Sequence, residues 1–154
     1  MPPRVVHIKD LPGLAGQTIG SSEWVEIDQD RVNKFAEATG DFQWIHVDVE
    51  RAAKEMETGT TIAHGFLTLS LLPMLTSQIM SVDGVGRGIN YGTNKVRFTN
   101  MVPVGSRVRA TQTLKEANVR EDGSVQSINE VVIEIEGQDR PALVAETLGL
   151  VYPA

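Results

Sequence analysis

The carboxyl-terminal half of the chain alternates between apolar and polar residues, and this period of two predicts β-strands. In residues 124–136 the odd positions, which include Val125, Val131 and Ile133, face one way, and the even positions, mostly Gln and Glu, face the other. Residues 107–119 alternate in the same way, and Glu121-Asp122-Gly123 supplies a turn between the two strands. Further strands are predicted at 89–98 and 142–151. Together they predict a mostly antiparallel sheet.

The amino-terminal half has a helical period instead. Val32, Phe35, Ala36 and Thr39 recur every three to four residues, Asp28 or Asp30 can cap the helix, and Gly40 can end it. A second short helix is predicted after Asp48. Residues 10–20 are predicted to form a loop, residues 22–27 a short extended run, and residues 41–47 a connector.

Residues 66–75 are apolar on nearly all sides, which predicts a helix buried on most of its surface. Pro73 removes one backbone hydrogen bond and is expected to kink this helix. An antiparallel sheet that wraps one long apolar helix belongs to the α+β class. We therefore predict a single domain that covers residues 1–154.

Composition and charge narrow the choice of partner. The chain has 154 residues, a net charge of −6 and no cysteine, so disulfides, thiolate nucleophiles and cysteine zinc sites are excluded. The acidic balance disfavours nucleic acid and anionic membranes. The most apolar stretch, residues 62–80, is interrupted too often to span a bilayer. We predict a cytoplasmic protein with a small partner.

The most informative pair of reactive residues is Asp41 and His46. On a regular helix their offset would place them about 140° apart, whereas a loop can direct both toward one point. A carboxylate and an imidazole in such a loop can hold one water and move a proton. Flanking Phe42, Trp44 and Ile45 are expected to exclude solvent there. The alternative is an Asp–His pair that only closes a turn.

His64-Gly65 stands at the start of the apolar helix. A backbone N–H at this point can polarise a carbonyl oxygen, although Gly65 can equally be a tight packing position. A metal site formed by Asp41, His46, Asp48 and His64 is a further alternative. It has neither a His-x-x-x-His pair nor a cysteine, so we predict that no metal is bound.

In combination, these residues resemble the MaoC-like or hydratase-2 family. The resemblance lies in Gly40-Asp41-x-x-x-x-His46 and in Ala63-His64-Gly65-Phe66, extends to Tyr91-Gly92, and covers residues 24–152. It is nearest to the NodN-like single-domain members. It implies a hot-dog fold, a homodimer, and (R)-specific hydration of a trans-2-enoyl thioester without a cofactor. One difference is Gln43-Trp44, where the family usually has Asn-Pro.

The resemblance implies that Asp41 and His46 hold the water that adds to C3, and that the N–H of Gly65 polarises the thioester carbonyl. Gln43, Tyr91 and Gly92 are expected to bind the substrate, which is carried on coenzyme A or on an acyl carrier protein. Two other functions stay open, a hot-dog acyl-CoA thioesterase and a non-catalytic module that binds acyl thioesters.

The distribution of charge suggests where coenzyme A would bind. Residues 84–115 contain six basic residues and no acidic one. Lys95 and Arg97 share one face of a predicted strand, and we expect them to meet the phosphates of coenzyme A. The alternative is a set of solvated charges on the surface of the sheet.

Overall fold

The computed structural model describes residues 2–154, which form eight strands and five short α-helices. A 3-10 helix, Ile8–Leu14, lies between the first two strands. The strands are β1 Arg4–His7, β2 Gln17–Ser21, β3 Val25–Glu26, β4 Met80–Asp83, β5 Val85–Phe98, β6 Arg107–Val119, β7 Val125–Ile135 and β8 Leu143–Pro153, and the α-helices are α1 Gln29–Thr39, α2 Trp44–Val47, α3 Val49–Glu55, α4 Gly65–Ser70 and α5 Leu72–Ser77.

Six strands form one antiparallel sheet. Its order is β2-β6-β7-β8-β5, and β3 also pairs with β6. The alternation in residues 107–136 produces the central hairpin of β6 and β7, whose turn includes Gly123 at a φ of 84°. β5 lies at one edge and pairs only with β8 among residues 2–154. β1 and β4 form a separate parallel pair.

The apolar segment that predicted one long helix folds as two shorter ones. α4 and α5 are separated at Leu71, and Pro73 lies in the first turn of α5, where its missing N–H removes no helical hydrogen bond. The expected length of the central helix is therefore wrong, whereas its burial is correct. Leu72 and Leu75 pack into the main core with residues of the inner sheet face such as Ile133 and Leu143. The predicted α+β class is confirmed.

The helix that precedes the site begins and ends where the sequence predicts. The carboxylate of Asp28 accepts a hydrogen bond from the N–H of Arg31 at 2.9 Å, and Gly40 ends α1 with a φ of 82°. Asp48 caps α3 in the same way, through the N–H of Arg51 at 3.0 Å.

Other local predictions for the amino-terminal half are wrong. Residues 10–20, expected as a loop, contain part of the 3-10 helix and β2, and the connector at 41–47 contains α2. β1 and β4 were not predicted, because their pairing joins distant segments of four residues each. Within residues 2–154, no helix has the length and apolar character needed to cross a membrane.

Candidate active site

The loop that joins α1 to α2 places Asp41 beside His46. Gly40 turns the chain in the left-handed conformation, and the carboxylate of Asp41 then accepts the N–H of Gln43 at 3.3 Å. This is the turn that an Asp side chain closes with the backbone two residues on. His46 lies in α2 and is 6% exposed, whereas Asp41 is exposed. Asp41 therefore closes its turn through Gln43 rather than through His46.

The tautomer of His46 follows from its partner. Its Nδ1 lies 2.7 Å from the carbonyl oxygen of Ile62, and a carbonyl only accepts, so Nδ1 carries the hydrogen. Nε2 of the neutral ring then keeps its lone pair. Burial lowers the pKa of His46 from 6.5, and this effect is larger than the opposing effects of the Ile62 hydrogen bond and Asp41. His46 is thus held as a neutral base.

His64 completes the cluster. Its ring stacks on that of His46 at a centroid distance of 3.9 Å, and its Nε2 lies 3.0 Å from the backbone carbonyl oxygen of Asp41. It is 2% exposed, and its Nδ1 has no hydrogen-bond partner within the described chain. The sequence singled out His64 only as a neighbour of Gly65 and a possible metal ligand. Its contacts with both Asp41 and His46 depend on tertiary structure.

Polar atoms of Asp41, His46 and His64 form a cluster. One carboxylate oxygen of Asp41 and one ring nitrogen from each histidine lie within 4.8 Å of one another. One water that forms hydrogen bonds of about 2.8 Å can bridge two groups at that separation. The same atoms are a possible donor set for a metal ion. Asp48, the fourth candidate ligand, is used as the cap of α3.

Gly65 faces the same cavity as His46. This cavity has a volume of about 380 Å³, and Thr68 and Phe98 also line it. A Cβ on Gly65 would lie 2.9 Å from the ring of Phe98, so the position requires glycine for packing. Because Gly65 is the first residue of α4, its N–H also has no acceptor within that helix. Both interpretations of this glycine are compatible with the geometry.

The apolar surroundings of the pair differ from the prediction. Phe42 is 57% exposed and does not exclude solvent, and Trp44 stacks under the guanidinium of Arg51 at 3.9 Å. Phe35 of α1 instead packs against His64, with the ring centroids 4.9 Å apart. The helical period of α1 had identified Phe35 only as a residue of the buried face.

The predicted substrate-binding residues are divided between different places. Tyr91 and Gly92 line a second cavity, of about 490 Å³, which His46 does not line. Lys95 and Arg97 lie on β5, are exposed, and line neither cavity. Gln43 approaches the pair through its backbone N–H. The structure thus brings Gly65 to His46 but leaves four of the five predicted binding residues elsewhere.

The six basic residues within residues 84–115, which we call the basic stripe, differ in whether they form ion pairs. On β6, Arg109 pairs with Glu134 at 2.6 Å, Arg107 pairs with Glu136, and Lys115 pairs with Glu146 at 3.0 Å. These acids come from neighbouring strands, which the linear count of charges cannot show. Lys95 and Arg97 form no ion pair within the part of the chain that the structure describes. Arg87, on the same edge strand, also forms no ion pair among the described residues, and its guanidinium lies over the ring of Tyr152 at 4.3 Å.

Comparison with known proteins agrees with the fold. The family model for the MaoC like domain matches residues 10–135. A 3-hydroxyacyl-thioester dehydratase Z of Mycobacterium tuberculosis is 55% identical over 141 residues, which cover 92% of this chain and 93% of that protein. Nodulation protein N of Rhizobium leguminosarum bv. viciae is 44% identical over 147 residues, which cover 95% and 91%.

A solved structure extends the comparison to three dimensions. The (R)-hydratase from A. caviae involved in PHA biosynthesis superimposes with a TM-score of 0.69 at 25% identity, over 86% of this chain and 95% of that one. The chain therefore belongs to the MaoC-like domain family. The hot-dog fold and the hydro-lyase class predicted from the sequence are confirmed.

Proposed function

We propose that this enzyme is an (R)-specific hydratase and dehydratase that interconverts trans-2-enoyl and 3-hydroxyacyl thioesters. The observation that supports this most directly is the approach of Asp41 to His46, whose Nδ1 is bound to the carbonyl of Ile62 and whose Nε2 is free to accept a proton. The names of the mycobacterial relative and of the A. caviae hydratase describe the same kind of chemistry.

In the hydration direction, Asp41 and His46 hold one water. Nε2 of His46 takes a proton from this water as the water oxygen bonds to C3. The electrons of the C2=C3 double bond move toward C2 and the thioester oxygen. The imidazolium of His46 then gives its proton to C2, so one water has been added and both residues return to their first state. Dehydration follows the same steps in reverse, and neither direction requires a cofactor.

Negative charge develops on the thioester oxygen during this addition. We assign its stabilisation to the N–H of Gly65, which has no helical acceptor and borders the cavity of His46. Such a donor contributes most when it is fixed before the reaction. The contact of Gly65 with Phe98 fixes the backbone at this position.

Two features of β5 support our proposals for the thioester carrier and for the assembly. Lys95 and Arg97 form no ion pair among the described residues and are available to meet phosphate groups of coenzyme A, although Lys95 lies directly opposite Glu146 on β8. The outer edge of β5 is unpaired within residues 2–154, and Ile89 and Tyr91 on this strand are 46% and 62% exposed. Exposed apolar edges are sites for pairing with another chain, so we include a homodimer in the proposal.

The test is hydration of crotonyl-CoA and of longer trans-2-enoyl-CoA thioesters, followed by the loss of absorbance of the conjugated thioester. The expected product is the (R)-3-hydroxyacyl thioester, identified by chiral analysis. Release of free thiol, measured with a thiol reagent, would indicate a thioesterase instead. Binding of these thioesters without any product would indicate a non-catalytic module. Sedimentation measures the mass of the assembly.

A further inference from the structure

The second cavity has a polar lining that the proposed reaction does not use. It lies between the helical segment of α4 and α5 and the inner face of the sheet, and Gln112 and Asn129 of the two central strands line it. The same face is apolar elsewhere, for example at Ala110, Ile133 and Ala145. The polar side chains are therefore concentrated in one part of an otherwise apolar sheet face.

These side chains form a continuous row across four strands. Thr93 of β5 is directly opposite Thr147 of β8, and Thr147 is directly opposite Asn129 of β7. Asn129 then accepts a hydrogen bond from Nε2 of Gln112 on β6 at 2.8 Å. We call Thr93, Thr147, Asn129 and Gln112 the polar row. All four residues line the same cavity.

The inner end of the polar row is incompletely satisfied. Gln112 is 5% exposed, and its Oε1 has no hydrogen-bond partner among residues 2–154. A buried carbonyl without a partner is costly, so such groups normally bind water or a ligand. Oε1 can only accept, so the ligand group that satisfies it must be a donor, such as a hydroxyl.

The position of the cavity relates it to the thioester. Thr68 lines the cavity of His46, and the next residue, Leu69, lines the second cavity. Along the helical segment, Gly65 and Pro73 are at most roughly 12 Å apart at the usual rise per residue. An acyl chain whose carbonyl is at Gly65 can therefore extend along the segment toward the polar row.

On the basis of the proposed function, we propose that the polar row selects acyl thioesters whose chain carries a hydroxyl group beyond C3. A hydroxyl can replace the water that the row would otherwise bind, whereas a methyl group removes that water without replacing its hydrogen bonds. The acyl chain fits this position better than the pantetheine arm. Gln112 is buried and Asn129 is half-buried, both on central strands, and the nucleotide end of coenzyme A has to remain outside.

The test compares pairs of trans-2-enoyl-CoA substrates of equal length, one ending in a methyl group and one in a hydroxyl. We expect kcat/KM to favour the hydroxylated member by about two- to tenfold at the chain length that reaches the row, as one net hydrogen bond would give. Gln112→Met removes the amide at similar volume and should abolish this preference. Thr147→Val, which removes a single hydroxyl, should reduce it and serves as a second variant if Gln112→Met does not fold.

The matched control is Gln126→Met, the same substitution on β7 at an even position, on the sheet face opposite to Asn129. It should leave the preference unchanged. A preference of the wild-type enzyme for the methyl member at every length would overturn the proposal. If Gln112→Met lowered kcat/KM equally for the methyl-ended and the hydroxyl-ended substrate, the proposal would also be overturned. The cavity would then hold a part that is common to all substrates.

Binding of saturated acyl-CoA pairs, measured by calorimetry, makes the same comparison without turnover. Tighter binding of the hydroxylated member, lost in Gln112→Met, supports the polar row even if no thioester is hydrated. In that case only the proposed reaction fails. Equal binding of both members by the wild-type protein would refute the polar row even if hydration is rapid.

Discussion

The two cavities lie next to each other along α4 and α5, yet their linings differ in kind. The first cavity is lined by His46, which can exchange a proton, and Asp41 and His64 lie beside His46. The second cavity is lined by amides and hydroxyls that do not titrate near neutral pH, together with Leu, Val and Pro side chains. The first is suited to chemistry and the second to selection. Changes in the first should therefore lower kcat, and changes in the second should alter the choice of substrate.

The largest effect is expected at the reacting pair. Asp41→Asn and His46→Gln should each lower kcat for crotonyl-CoA by roughly 10²- to 10⁴-fold, because each removes a group that holds the water or moves its proton. Thermal unfolding should stay close to wild type for Asp41→Asn, since Asp41 is exposed. Activity within tenfold of wild type for both variants would show that the pair does not perform the reaction.

A smaller effect is expected at His64. This residue contacts both Asp41 and His46, but it transfers no proton in the proposed reaction. His64→Leu removes the hydrogen bond to the backbone carbonyl of Asp41. It should lower kcat by roughly 10- to 100-fold, because Asp41 and His46 would no longer be held in the geometry that the reaction needs. His64→Gln keeps an N–H donor and should recover part of the loss. Steady-state kinetics separate the two variants. Equal losses would mean that the ring stack on His46 matters and the hydrogen bond does not.

At the edge strand we expect a change in binding rather than in chemistry. Lys95→Ala and Arg97→Ala should raise KM for crotonyl-CoA several-fold and flatten its dependence on salt, while kcat changes little. Arg107→Ala on β6 is a matched control, since its guanidinium already pairs with Glu136. If KM depends on salt in the Lys95→Ala/Arg97→Ala double variant as it does in wild type, the phosphates of coenzyme A bind elsewhere.

The smallest effect is a displacement of the pH profile. Burial lowers the pKa of His46 below 6.5, so the neutral base persists to lower pH and the acid limb of kcat/KM should have its midpoint below 6.5. The unfolded chain binds this proton more readily, so the stabilising contribution of neutral His46 is present above pH 6.5 and is lost as pH falls through the lower pKa. A midpoint above 6.5 would contradict the role of a buried, neutral His46.

The sheet could be predicted more closely than the site, for a physical reason. Alternation is a local signal, and the strand expected at residues 107–119 has the same bounds in the structure. The caps of α1 and α3 are local too. By contrast, β1 and β4 are recognisable only as a pair, since each is short and its partner is distant in sequence.

At the site, the sequence predicted which residues react but not what orients them. The spacing of Asp41 and His46 identified a loop that can bring them together. The carbonyl of Ile62 that sets the tautomer of His46 is 16 residues away, and no residue pattern marks a backbone group. The error in the basic stripe has a similar origin, because Glu134 and Glu136 reach β6 only through strand pairing.

Phe98 links two parts of the molecule that have been described separately. Its ring lies against Gly65 at the start of α4 and meets Phe66 at a centroid distance of 5.6 Å, and its backbone ends the edge strand β5. A second subunit that pairs with this edge would restrict the Phe98 ring. That ring would in turn hold in place the N–H of Gly65, which is expected to donate a hydrogen bond to the thioester carbonyl. Dilution below the dissociation constant of the dimer should then reduce turnover per subunit before the fold itself is lost.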